Sequence, residues 1–225
     1  MSQEIIIEAK KICRVVRNGL PNRWDGKECI LELKRVDYQW KQMEWIGWYF
    51  EYKATNLLKT EFGSHPSPSF GSTKFDFKLN QVWDFKAHPI NSSTHPWVIV
   101  NDKEAIDKCV ISYGGVGVVI AEGNAEYDDS SESFKRWHDS LKGGRSDYEK
   151  ERVKRGAPSR KRKKAFELNK LEAIWFEKET LSNGLERGWI THFQTGMRNA
   201  DGSSRRAKYL VDISRIPTES KLVAI

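Results

Sequence analysis

Apolar residues recur at helical spacing from the start of the chain. In EIIIEAKKICRVVRNG, Ile5, Ala9, Ile12 and Val16 fall on one face, and Gly19 is placed to stop the helix. WDGKECILELKRVDYQWKQMEWIGWYFEYKATNLLKT follows, opening on Asp25 and Glu28 at capping-box spacing. Met43, Ile46, Phe50 and Leu57 then share a face, which predicts one long helix, or two with a bend near Gly47. FGSHPSPSFGS breaks the pattern with glycine, proline and serine and reads as a loop. Between Thr73 and Pro89, TKFDFKLNQVWDFKAHP alternates apolar and charged residues, the mark of a β-hairpin. VNDKEAIDKCVISYGG returns to the helical pattern, with Asn101 or Asp102 as cap and Gly114 as stop. VGVVIAEG is a short apolar run suited to a buried strand. SSESFKRWHDSLKGG predicts another capped helix, and AFELNKLEAIWFEKE fits either helix or strand. GWITHFQTGM and SSRRAKYLVDISRI read as strands around the turn NADG. No internal repeat interrupts the series. Helices and strands in this order predict an α/β (α+β) chain forming a single domain over residues 1–225.

The 225 residues suit one domain of ordinary size, and nine tryptophans and ten phenylalanines supply bulky material for a core. No apolar run approaches the roughly 18 residues of a membrane span. The start, MSQEIIIEAKKICRVVRNG, lacks the apolar block and cleavage site of a signal peptide, which predicts a cytoplasmic protein with no membrane partner. Cys13, Cys29 and Cys109 form no C-x-x-C pair, and the five histidines show no H-x-x-x-H or H-E-x-x-H spacing, so neither a disulfide framework nor a zinc site is indicated. In YGGVGVVIAEG the glycines precede the strand and no G-K-[ST] follows. That order favours a helix stop and turn over a phosphate loop. Charge changes the picture more. The chain carries a formal net charge of +7, and the segment from Arg145 to Lys164 alone holds ten Lys/Arg against three Asp/Glu. So concentrated a block attracts phosphate polyanions through counterion release, unless it is only a solvated loop.

The hairpin segment carries the chemistry. Strand alternation puts Asp84, Lys86 and His88 on one face and Trp83, Phe85 and Ala87 on the other. By the same rule Lys74, Asp76 and Lys78 oppose Phe75, Phe77 and Leu79. A two-residue turn at Asn80-Gln81 would pair Asp76 with Phe85 and put the two carboxylates on opposite faces. A connection of three or five residues, or a bulge, would bring them together. They would then offer oxygen ligands for Mg²⁺, which takes one or two carboxylates plus water and substrate oxygens. Lys86 could orient or deprotonate a water, or stabilise charge on phosphate. The alternative is a solvated face of an amphipathic hairpin.

The pair FDF…VWDFKAH resembles the PD-(D/E)xK nuclease signature, with Asp76, Asp84 and Lys86 at its acidic, acidic and lysine positions. Phe75 stands where the family frequently has proline. The likeness runs from about Asp37 to Asn124. It implies a restriction-endonuclease-like core, a central mixed β-sheet flanked by helices, with Mg²⁺ held by Asp76 and Asp84 and with Lys86 catalytic. It also implies a further acidic residue on the preceding helix, for which Glu51 is the candidate and Glu44 the reserve. A compact type II restriction endonuclease is the most similar profile. That implies Mg²⁺-dependent, site-specific cleavage of double-stranded DNA by a homodimer, with a separate DNA methyltransferase as partner. A structure-specific repair or recombination nuclease of the same fold and a non-catalytic DNA-binding protein are the alternatives. DNA contacts are expected from a basic loop over about 143–164, at Arg160, Lys161, Arg162, Lys163 and Lys164. A C-terminal recognition hairpin over about 188–215 would add Gln194, Arg198, Asn199, Arg205 and Arg206, whose side chains suit major-groove base edges.

Overall fold

The computed structural model describes residues 2–145, 147–157, 160–198 and 202–225. The chain begins with α1 (Gln3–Gly19), β1 (Arg23–Asp25), α2 (Gly26–Arg35) and α3 (Trp45–Phe62). Three two-residue strands follow, β2 (Ser69–Phe70), β3 (Thr73–Lys74) and β4 (Phe77–Lys78), and then β5 (Val82–Pro89), β6 (Trp97–Asp102), α4 (Lys103–Tyr113) and β7 (Val116–Tyr127). The remainder is α5 (Ser133–Leu141), α6 (Asp147–Lys154), β8 (Lys163–Phe176), α7 (Lys178–Glu186), β9 (Ile190–Phe193), β10 (Lys208–Asp212) and β11 (Lys221–Ala224).

A central mixed sheet runs β1-β8-β7-β5-β4, with β11 also paired to β8. Only β5 and β7 are parallel within it, and α4 lies on the crossover between them, as a parallel connection requires. Strand alternation makes two cores, one on each face. On one side Ile12, Val16, Leu33 and Phe50 of the first three helices pack with Trp83, Phe85, Val119 and Trp175. On the other, Val82, Val118, Ile120 and Ile174 pack with Ile106 of α4, Leu181 of α7, and Tyr209 and Val211 of β10. This second layer includes a three-stranded antiparallel sheet, β6-β10-β9. Among the described residues no helix is long and apolar enough to cross a membrane.

Several sequence expectations change in detail. The helical segment after Asp25 divides at residues 36–44, and Gly47 lies inside α3. Asp37 and Gln39 adopt positive φ there (51° and 43°), and Trp40 is buried with its indole N–H on Asp37 Oδ1 at 3.0 Å. Met43 therefore precedes α3 and does not share its face. Asp25 does cap α2, accepting from the N–H groups of Lys27 and Glu28 at 2.9 and 3.2 Å. The ambiguous AFELN segment is strand, within β8. The basic segment is not one loop, since it contains α6 and the first residues of β8. Gly114 ends α4 in the left-handed region (φ 79°) as expected. The next glycines of YGGVG seat indoles: a Cβ on Gly115 or Gly117 would lie 2.3 Å from the ring of Trp175 or Trp83.

The predicted hairpin is real but asymmetric. β5 has eight residues and β4 only two, because Thr73 and Lys74 pair with Phe70 and Ser69 instead. The ladder breaks between them, where the Phe75 N–H bonds Pro68 O at 3.1 Å. The expected alternation is broken with it, and Phe75 enters the second core while Phe77 enters the first. The register, Phe77 opposite Trp83 and Lys78 opposite Val82, leaves a three-residue connection, Leu79 to Gln81. Glu8 of α1 holds it. Its buried carboxylate accepts from Gln81 N at 2.9 Å, Asn80 N at 3.3 Å and the Trp83 indole at 2.8 Å. Hydrogen bonds to a buried charged group contribute about 1.5–3 kcal/mol, and donors left bare add their desolvation penalty. Glu8→Ala should therefore destabilise the fold by about 3 kcal/mol in urea unfolding, and Glu8→Gln, which keeps an acceptor, by less. A loss under about 0.5 kcal/mol for Glu8→Ala, the scale of an ordinary surface substitution, would show that the connection is held by other means.

Candidate active site

Asp76 lies just before β4, close enough to Asp84 and Lys86 for their charges to act on its carboxyl. The odd-length connection that cooperation between them required is present. Because β4 begins only at Phe77, no β4 backbone lies beside Phe85, and the Asp76 side chain takes that place: Oδ2 accepts the Phe85 N–H at 2.6 Å. Asp84, 1% exposed, points from the middle of β5 into the face shared with Val118. Its Oδ1 accepts from Asn101 Nδ2 at 3.2 Å, while its buried Oδ2 is ion-paired with the Lys86 ammonium. Lys86 also donates to Phe85 O at 3.3 Å. Glu51 reaches the cluster from α3, with its Oε1 accepting the Tyr38 hydroxyl.

The electrostatics tie these groups into one unit. Burial, then the Asp84 and Glu51 charges, push the Asp76 carboxyl well above its ordinary range, against the pull of Lys86 and the Phe85 N–H. Burial also raises Glu51, opposed by the Tyr38 hydroxyl and Lys86 and assisted by Asp84. Burial would lower Lys86, but Asp84, Asp76 and Glu51 together raise it, so it stays an ammonium. Three carboxyl groups thus share one cation: Lys86 offsets Asp84, while burial and mutual repulsion favour the protonated forms of Asp76 and Glu51. An all-oxygen set of buried carboxyl groups suits a hard divalent cation such as Mg²⁺, which would have to displace the Lys86 ammonium from Asp84 Oδ2. Asp76 and Asp84 are the residues that would hold it. Among the described residues no group of three or more His, Cys, Asp or Glu side chains is gathered closely enough to bind a metal, so water and substrate oxygens would complete the coordination.

The other sequence candidates lie elsewhere. Glu44 is exposed at the start of α3 and pairs with Lys163. His88 stacks on His95, with Nε2 and Nδ1 3.2 Å apart. Burial, His95 and Lys163 hold it down to about 4, so its imidazole is neutral. In the basic segment Arg160 and Lys161 are exposed, Arg162 is buried, Lys163 is engaged by Glu44, and Lys164 pairs with Glu126 at 2.8 Å. In the C-terminal hairpin Gln194 is half-buried with φ 67°, and Arg198 and Arg205 are exposed. Arg206 bonds back to Asp102 at 2.8 Å, and Asn199 lies outside the described residues. Three residues at the site went unpredicted as site residues. Tyr38 sits in an irregular turn with no periodic signal. Asn101 and Asp102 carried a signal, but one that pointed to helix capping. Asp102 occupies the cap position of α4 without making a side-chain cap bond.

No protein-family model matches the chain, and neither a curated protein nor a solved structure matches it.

The raised Asp76 carboxyl has a stability consequence. Such a group favours the fold while protonated, and that contribution is lost as pH rises through its folded-state value. Asp76→Asn has no charge to bury and can still accept from Phe85. In cation-free buffer at about pH 8 it should melt about 2–4 °C above wild type, the equivalent of roughly 1 kcal/mol in a chain of this size. The gap should close as pH falls into the ordinary carboxylate range. A variant less stable than wild type at alkaline pH would contradict the assignment of repulsion and burial at Asp76.

Proposed function

We propose that the chain is a Mg²⁺-dependent endonuclease acting on double-stranded DNA, of the type II restriction kind. The observation that carries this proposal is the clustering of Asp76 with Asp84 and Lys86 at a hairpin of odd connection length, with the Glu51 carboxyl from α3 within reach of their charges. Element order supports it: a helix with Glu51, a hairpin with the D-x-K strand, a helix, and a strand parallel to the D-x-K strand. The restriction-endonuclease-like core that the sequence resemblance implies has its elements in this order.

Bound Mg²⁺ would polarise a phosphodiester and make a coordinated water acidic. Asp76 and Asp84 would hold it, and Glu51 would add negative charge beside them. Lys86, kept protonated by its neighbours, would donate hydrogen bonds to the attacking water or the phosphate oxygens and offset the charge that develops there. An ammonium in this state is not a base, which narrows the roles open to Lys86. The exposed Arg160 and Lys161 would contact the DNA backbone, and Arg198 and Arg205 the base edges or phosphates. A homodimer would match the two-fold symmetry of a palindromic site, and a cognate methyltransferase would protect host DNA. One observation favours a second reading, a DNA-binding protein that does not cut: Lys86 neutralises Asp84 directly, and no third ligand completes a metal group among the described residues.

Supercoiled plasmid incubated with Mg²⁺ distinguishes them. Wild type should give discrete fragments, Asp84→Ala and Asp76→Ala none, while both variants keep DNA binding. Lys86→Ala should lower the cleavage rate by about 10² or more, the usual effect of losing a positioned electrostatic or acid–base group. Lys78, which lies over the Tyr113 ring, is the control, and Lys78→Ala should lose little. Retained DNA binding with no cutting by wild type would favour the non-catalytic alternative, and cutting only at junctions or flaps would favour a repair nuclease. Equal cutting by wild type and Asp84→Ala would remove the site.

A further inference from the structure

Asp102 ends β6 and stands at the cap position of α4, yet its carboxylate is drawn to other partners. Oδ1 accepts from Lys208 Nζ at 2.8 Å. Oδ2 takes Arg206 Nη1 and the Thr73 hydroxyl, both at 2.8 Å. Arg206 also donates to Ser72 in the turn between β2 and β3. One buried carboxylate thus joins that turn, the β6–α4 junction and the entry to β10. Lys208 and above all Arg206 remain accessible, with side chains 32% and 53% exposed, so two cations anchored inside present charge outside.

Asn101 connects this hub to the candidate active site. Its Oδ1 accepts the Asp102 N–H at 2.8 Å, and its Nδ2 donates to Asp84 Oδ1 at 3.2 Å. The partners fix the orientation of the amide, because a backbone N–H can only donate and an ionised carboxylate can only accept. A flipped amide would lose both bonds. Held through Oδ1, Asp84 turns Oδ2 away from the amide and towards Lys86.

We propose that Asn101 and Asp102 are positioning residues that couple phosphate contacts at Arg206 and Lys208 to the orientation of Asp84. The proposal rests on the nuclease reading and adds how that site is assembled. Arg206 and Lys208 contact neither Asp84 nor Lys86. They steady Asp102, Asp102 steadies Asn101, and Asn101 turns Asp84. A DNA phosphate that holds Arg206 in place over Asp102 steadies the same chain and favours the Asp84 orientation that takes a cation.

Mn²⁺ titration of the full chain without DNA, followed by calorimetry, tests this. Asp84→Ala defines binding at the site. Asn101→Ala should weaken Mn²⁺ by about tenfold or more, as is usual when a group orienting a metal-binding carboxylate is lost. Asn101→Ser, which can still accept from Asp102, serves if the alanine variant does not fold and should weaken binding in the same direction. Arg206→Ala, remote from the cation, should also weaken Mn²⁺, and it should add nothing in the Asn101→Ala background, because the effect travels through Asn101. If wild type and Asp84→Ala bind Mn²⁺ alike, the nuclease reading itself fails. If wild type alone shows the site and Asn101→Ala binds as tightly, the positioning role fails while the nuclease reading stands. Additive losses in the double variant would overturn the coupling to Arg206.

Discussion

The candidate site depends on a carboxylate nearly seventy residues away in sequence. Glu8 gathers the Asn80 and Gln81 N–H groups and the Trp83 indole, which otherwise would be donors in a tight turn with nothing to bond. The three-residue connection that results sets the register. Side chains alternate with period two, so shortening the connection by one residue would move Asp76 off the face of Asp84. The same contact packs α1 onto the hairpin and seats Trp83 over Gly117. A long-range hydrogen-bond set thus supports both the first core and the geometry of the acidic pair.

What that register assembles is unfavourable by itself. Phe85 and Trp83 fill the first core from one side of β5, while Asp84 on the other side is buried beside Lys86 with Asp76 and Glu51 close by. Burying such a cluster in an otherwise conventional sheet lowers stability, which makes it a candidate functional site. Neighbouring residues hold the cluster in place. Tyr38 supplies a hydrogen bond to Glu51, Asn101 fixes one oxygen of Asp84, and Asp102 fixes Asn101.

Much of this architecture is legible in the sequence where periodicity is strong. The faces of α1 and β5, the stop at Gly114 and the strand β7 follow from apolar spacing. The Asp76, Asp84 and Lys86 constellation is visible as a pattern, and the need for an odd connection follows from strand geometry. Three things are not visible. The break at Phe75 comes from a bond to Pro68, a contact that no local propensity encodes. Residues 36–44 form a turn because Asp37 and Gln39 take positive φ, which tertiary packing of Trp40 and Tyr38 decides. Asp102 carries every local mark of a helix cap, and only the approach of Arg206 and Lys208, about a hundred residues on, turns it to another use. The basic segment shows the reverse error. Its composition suggested a free polycationic loop, whereas Arg162, Lys163 and Lys164 are drawn into the fold by burial and by Glu44 and Glu126.

The claim at the centre is that the acidic pair made by this register takes a divalent cation. Anomalous diffraction from crystals soaked in Mn²⁺ tests it most directly. The expected result is a peak within about 2.5 Å of Asp84 Oδ2 and of an Asp76 oxygen, the range of oxygen coordination, with the Lys86 ammonium moved off Asp84. A crystal that shows no peak there, with the Lys86–Asp84 ion pair intact at saturating Mn²⁺, would contradict it.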